Sequence, residues 1–359
     1  MMDSSKGTDT VNTRFLNACF REPVDQTPVW MMRQAGRYLP EYRAIRADHS
    51  FLEMCKTPAL AAEVTVQPID RLGVDAAIMF NDILTLPGEM GLDLSFKKDH
   101  GPQFSNPVRT ADDVRALKVP EPRRDMAYVV EAIQLIKEKL ADRVPLIGFA
   151  GAPFTVASYM VEGQGSKDYA HIKGLALREP DIFAELMNRV TDATIAYLNA
   201  QIEAGVDAVQ VFDTWAGQLP EHIYLERVLP HVQRLFRELI RKTDGRRIAT
   251  IYFAKGSGGW LHHLRTIECD VLGMDWTVDL ARARAALGDR YALQGNLDPT
   301  TLLTTPDIIR AEVHRVLASF GSGPGHIFNL GHGILPSVPP EHAQALIDAV
   351  RSYPTEAGS

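Results

Sequence analysis

A recurrence constrains the fold more than anything else in the chain. Eight short apolar runs follow one another: "PVWMM" (28–32), "DAAIMF" (75–80), "VPLIGFA" (144–150), "VDAVQVF" (206–212), "IATIYF" (248–253), "DVLGMD" (270–275), "YALQGN" (291–296) and "HIFNLG" (326–331). They are strand-length and mostly lack polar–apolar alternation, as strands buried on both faces of a parallel sheet do. Between them lie segments with helical spacing, clearest at 127–141, 181–205 and 220–242, where Pro230 must kink or interrupt the last.

Strands alternating with helices predict an α/β fold, a (β/α)8 TIM barrel, as one domain over residues 1–359 with an ordered core from about 12 to 352. A doubly wound sheet is the alternative, but no G-x-G-x-x-G follows the first strand. Long connections occupy 33–74 and 83–143, and in the second "LDLSFKKDHGPQFS" reads as a small hairpin over one barrel mouth. Residues 1–12 and 354–359 read as frayed ends.

The formal charge of −7 gives no general affinity for nucleic acid or an anionic membrane. An anionic ligand would have to be held by a local field. Cys19, Cys55 and Cys269 stand far apart with no C-x-x-C, which argues against a zinc cage or disulfide framework and fits a reducing compartment. The N-terminus is polar without an apolar signal core, and no run reaches the ~20 apolar residues of a membrane span. A cytoplasmic location is expected.

In such barrels chemistry belongs at the C-terminal ends of the strands. Those ends carry Arg33, Asn81–Asp82, Gly151–Pro153, Asp213–Thr214, Lys255, Asp275–Trp276, Asn296 and His332. Asp82, Asp213 and Thr214 serve equally well as helix caps on position alone. His332 is flanked by glycines in "LGHGI", which admits close approach of backbone to a ligand. Lys255 could be a Schiff-base lysine or a solvated lysine on the Gly-Ser loop "FAKGSGG". His262–His263 are adjacent on a helix and should diverge, so a surface role is expected for them. The glycine-rich "FGSGPGH" is a weak phosphate-cradle signal without a Lys-Ser/Thr ending. Arg33 and Arg37 in "MRQAGRYLPEY" could pair with Glu41 and Asp48 or at a subunit interface. Gly36 between them and the strand before them place them instead at the barrel mouth, where guanidinium forks suit carboxylates.

Here the residues carry a resemblance. "PVWMMRQAGRYLPEY" and "GFAGAPFTVASYMVEG" closely resemble the signature stretches of the uroporphyrinogen decarboxylase family, and "FNDIL", "VFDTWAG" and "FNLGHGI" match further family segments in order. The similarity runs from about residue 12 to 352. It implies a cofactor-free and metal-free, homodimeric barrel enzyme of haem biosynthesis. Such an enzyme converts uroporphyrinogen III to coproporphyrinogen III by removing carbon dioxide from four acetate arms. By motif it assigns Arg33, Gln34, Ala35, Gly36 and Arg37 to the binding segment, with Arg46 an addition from "YRAIR". It also carries over Asp82, Tyr159, Thr214 (serine in some members) and His332. Asp82, Arg33, His332 and Tyr159 are the implied catalytic set.

The implied chemistry is self-consistent. Protonating a pyrrole ring carbon makes the substrate its own electron sink, so no PLP or metal is required. Asp82 would stabilise the resulting cation if Arg33 and Arg37 keep it ionised. The proton donor is left between His332, Arg33 and a water. Competing expectations are a cobamide-linked methyltransferase with Cys/His zinc ligands, an aldolase using Lys255, and a non-catalytic tetrapyrrole binder.

Overall fold

A computed structural model of the chain describes residues 13–97 and 101–354, so the expected frayed ends lie almost wholly outside the described residues. Its strands are β1 (Ala77–Ile78), β2 (Leu94–Lys97), β3 (Gly101–Phe104), β4 (Leu146–Gly151), β5 (Ala208–Asp213), β6 (Lys242–Thr243), β7 (Arg246–Arg247), β8 (Ala249–Ala254), β9 (Val271–Gly273), β10 (Ala292–Gln294) and β11 (His326–Ile327). Seven form one sheet in the order β1-β4-β5-β8-β9-β10-β11, with every pair parallel. Their residues are almost all buried, which is why the runs show no alternation.

The eighth stave is shorter than expected. Residues 28–32 contribute a single parallel bridge, Val29 to Phe328, rather than a strand. On the other side the carbonyl of Val29 accepts from Asp75 N–H at 2.8 Å, and the Asp75 carboxylate accepts from Val29 N–H at 2.9 Å. A side chain thus stands in for a ladder bond and closes the (β/α)8 barrel. The run is cut short because the chain turns at once into the arginine segment.

Helices pack around the barrel at Ala127–Leu140 and Pro180–Ala204, as the spacing predicts. The 220–242 segment breaks at Val228 into Glu221–Arg227 and Leu229–Glu238, with Pro230 in the first turn of the second, where its missing N–H costs nothing. Its last residues are not helical. "KTDGR" forms the β6–β7 hairpin, whose turn residues Asp244 and Gly245 both have positive φ (49° and 78°), a strong Asp-Gly hairpin signal. The hairpin expected in 92–105 is present as β2 and β3, with residues 98–100 outside the described set.

Candidate active site

The segment after Trp30 folds back on itself, and Gln34 braces it. Gln34 is fully buried; its Oε1 accepts from Met31 N–H at 3.1 Å and its Nε2 donates to the Ala76 carbonyl at 2.9 Å. Its own carbonyl accepts from the Tyr38 hydroxyl at 2.8 Å. This tie holds Arg33 at φ +61°, a left-handed conformation that costs a non-glycine residue about 1 kcal/mol or more. Gly36 is required just beyond, because a Cβ there would stand 2.9 Å from the Arg33 carbonyl oxygen. Gln34 therefore does not line the cavity, contrary to the expectation of substrate contact: both ends of its amide are committed to backbone.

Arg33, Ala35, Gly36, Arg37 and Arg46 all face a cavity of about 1030 Å³ at the C-terminal ends of the strands. That volume is at the top of the range for small-molecule sites, so it suits a large ligand. Met79, Phe80, Phe149, Phe212 and Ile334 supply apolar wall, and Phe96 and Pro102 of the β2–β3 hairpin close one side. Among the described residues Asp82 is the sole carboxylate in that wall. Among the described residues Arg33, Arg37 and Arg46 make no ion pair with a carboxylate; Glu41, the nearest candidate in sequence, is held by Arg71 at 2.6 Å.

Asp82 does not cap the helix that follows it: Leu84 is the N-cap of Thr85–Glu89, with no side-chain cap bond. Its Oδ1 accepts from Leu84 N–H at 2.8 Å in an Asx-type turn, and among the described residues no protein donor reaches Oδ2. Burial pushes its pKa above the ordinary carboxylate value, while the Leu84 N–H and the Arg33 charge pull the other way. The expectation that Arg33 and Arg37 together hold it low is corrected: burial outweighs Arg33, and Arg37 does not contribute.

His332 also lines the cavity. Its Nδ1 accepts from Gly333 N–H at 2.7 Å, which fixes the neutral tautomer with the proton on Nε2. Burial, Arg33 and Lys255 push its pKa down to about 4. It is a hydrogen-bond donor, not a store of acid at neutral pH. Tyr159, on the helix Pro153–Glu162, is not part of the cavity wall but is near enough to feel the charges of Asp82 and Arg33. Burial raises its pKa, so it keeps its proton.

Thr214 lines the cavity, whereas Asp213 beside it does not. Asp213 is fully buried and caps nothing: it accepts from the Thr155 hydroxyl at 2.7 Å and the Tyr252 hydroxyl at 2.8 Å, and burial raises its pKa to about 6. It locks the strand end from which Thr214 departs. Lys255 sits 5.3 Å over the Trp276 ring and outside the cavity wall, which weakens the Schiff-base expectation. "FGSGPGH" precedes β11, so it lies at the opposite end of the barrel from the mouth.

A second cavity of about 640 Å³ at that opposite end is lined by Arg21, Arg241, Arg247 and Arg290. Number of arginines is not what makes an anion site. Arg21 is paired with Asp289 and Arg241 with Asp270, both at 2.7 Å, and Arg247 lies 3.8 Å from Glu22. At the mouth, among the described residues, no guanidinium meets a carboxylate; Arg46 donates only to the His49 carbonyl, at 2.6 Å. Of the wall residues, the phenylalanines are not legible in the sequence, because an apolar run does not disclose which of its members faces the mouth.

Fold and site together define a barrel enzyme for a large polyanionic ligand. Comparison with known proteins identifies it further. Residues 10–353 match the family model described as uroporphyrinogen decarboxylase (URO-D). Relatives of that name from Alkalilimnicola ehrlichii and Trichlorobacter lovleyi are 54% and 55% identical over 340 residues, covering 94% and 95% of this chain and 93% and 98% of theirs. The chain belongs to the uroporphyrinogen decarboxylase family. A methyltransferase from Methanosarcina mazei shares the fold, with a TM-score of 0.79 at 24% identity over 95% of this chain and 98% of its own. The cobamide-linked methyltransferase reading is not favoured by the relatives of higher identity, and Cys19, Cys55 and Cys269 are buried, with none of them in the mouth-cavity wall.

Proposed function

We propose that this chain is a carboxy-lyase that binds uroporphyrinogen III at its barrel mouth and removes carbon dioxide from the four acetate arms, giving coproporphyrinogen III. One observation supports the assignment of the site: among the described residues, three guanidiniums without a carboxylate partner (Arg33, Arg37 and Arg46) line a cavity of about 1030 Å³ together with one carboxylate, Asp82, whose Oδ2 is free of protein donors. The eight carboxylates of the substrate match the former, and its ring N–H groups match the latter.

In this reading Arg33, Arg37 and Arg46 grip carboxylate arms, with Ala35 and Gly36 letting the macrocycle approach the backbone. Asp82 Oδ2 accepts from the pyrrole N–H groups. A proton is added to the ring carbon next to the one bearing an acetate, leaving an iminium-like cation conjugated with the carbon that carries the arm. The bond to the carboxylate carbon then breaks, its electron pair flows into the ring, and carbon dioxide leaves. A second proton goes to the exocyclic methylene and makes the methyl, and the first leaves the ring carbon, which restores the pyrrole. Asp82 binds the cationic intermediate more strongly than the neutral ring, which is the differential that lowers the barrier. The positive ring also counters the burial that raises its pKa.

His332, neutral with Nε2–H exposed to the cavity, donates to an arm. Thr214 and Tyr159 serve as further donors, Tyr159 from behind the wall. The first proton then comes from Arg33 or a water that Arg33 holds. As a unit we propose a single barrel domain over 1–359, working as a homodimer in the cytoplasm without a cofactor. No described helix is long and apolar enough to cross a membrane.

Anaerobic incubation with uroporphyrinogen III, with products separated by carboxylate number, tests the function. A ladder from eight carboxylates to four is expected. Recovery of substrate alone under conditions that keep it reduced would refute the assignment.

A further inference from the structure

We propose that Glu221, His262 and His263 form a surface site for a divalent cation of the zinc class, placed across the seam between the loops that follow β5 and β8. Nothing in the decarboxylation uses these residues. Each offers one ligand atom, and the three atoms lie within 4.8 Å of one another. His263 Nε2 is 2.9 Å from a Glu221 oxygen, and the two imidazole rings have centroids 3.8 Å apart at 42°.

Neighbouring histidines on a regular helix diverge. Here the helix is a single turn, Leu261–Leu264, entered from Trp260 at φ −134°, and the rings come together instead. An ion pair to Glu221 accounts for one ring only. Two imidazoliums at this separation would repel, whereas two neutral rings present in-plane lone pairs. Two imidazole nitrogens and a carboxylate oxygen are a donor set for zinc, not for magnesium or calcium, which prefer oxygen alone. Glu221 and His262 are exposed and His263 half-buried, so an ion reaches them from solvent and water completes its shell.

Position gives the site a consequence. The two loops already cross in backbone contact: Gly217 N–H donates to the Lys255 carbonyl at 3.0 Å, and a Cβ on Gly217 would stand 2.8 Å from Gly256 Cα. Glu221 follows one side of that crossing and the histidines follow the other. A bound ion adds a second tie to the seam beside Thr214 and Lys255, whatever the mouth cavity turns over.

Titration calorimetry of the full, tag-free chain with ZnCl2 and with MgCl2 tests this, with thermal unfolding as a second readout. We expect one Zn2+ per chain, a raised melting temperature, and no heat from MgCl2. His262→Ala and His263→Ala should each abolish the signal, and Glu221→Gln should weaken affinity about tenfold, with metal-free melting unchanged in all three. Absence of zinc binding overturns the proposal. So does binding that survives His262→Ala/His263→Ala, since the ion then sits elsewhere.

Discussion

Arg33 lies directly across Gly333: a Cβ at position 333 would fall 2.4 Å from Arg33 Cδ and 2.8 Å from its Cγ. The glycine after His332 is therefore a groove for the arginine stem, not only a hinge for the histidine. Because Arg33 is itself fixed at positive φ, its stem cannot swing away freely. Gly333→Ala should move the guanidinium by an ångström or so and lower kcat/KM by roughly tenfold to a hundredfold. Thermal stability should change little, which steady-state kinetics and a melting curve together would establish.

Asp82→Asn keeps the acceptor for Leu84 N–H and removes the charge. Turnover at saturating substrate should fall about a hundredfold or more, with KM changed far less. The sign of its pH dependence follows from burial. Folding raises this carboxyl's pKa, so the ionised form costs stability above the folded value, and that cost fades as pH falls through it. Asp82→Asn should thus be no less stable than the parent at pH 7.5, with any advantage shrinking on acidification. Activity runs the opposite way: the parent loses kcat as Asp82 is protonated, at a pH above the ordinary carboxylate value. Denaturant melts and a pH–rate profile read both slopes, and a variant retaining full kcat would remove Asp82 from the chemistry.

His332→Gln places an amide N–H near the position of Nε2–H. If the imidazole acts as a neutral donor, the glutamine variant should keep kcat within a few-fold while His332→Ala raises KM. The parent should show no kinetic limb near pH 6.5, because His332 stays neutral down to about 4. Loss of turnover by orders of magnitude in His332→Gln would instead make the histidine the acid.

Gln34 separates a brace from a ligand contact. Gln34→Ala strands the Met31 N–H and the Ala76 carbonyl in the interior, and should cost about 2 to 4 kcal/mol of stability. A chemical-denaturation midpoint measures it. A binding role would have appeared as a higher KM with the midpoint unmoved.

Much of this was legible beforehand for physical reasons. Every barrel strand falls on an expected apolar run, because strands buried on both faces need unbroken apolar sequence. The arginine pair was placed at the mouth from its strand and its glycine. What sequence could not disclose was direction. Gln34 sits between two cavity residues and points away from the cavity. Asp213 and Thr214 adjoin, yet one is interior and the other faces the mouth, since successive side chains at a strand end alternate. Nor could it disclose the net balance at Asp82, which depends on how much water the folded wall excludes. The histidine pair converges because Leu261–Leu264 is a single turn, to which ideal helix geometry does not apply.

The stave that closes the barrel through Val29 is the same stretch of chain that runs straight into Arg33. It joins its neighbours through a single parallel bridge, the Asp75 contacts to Val29, and Met32 bonds to Asn329 and Ile334. Circular closure and the proposed anion clamp therefore share a latch. If Arg33 grips a carboxylate arm as proposed, loosening this stave releases that grip, and occupancy of the mouth is felt as resistance to unzipping where the barrel closes.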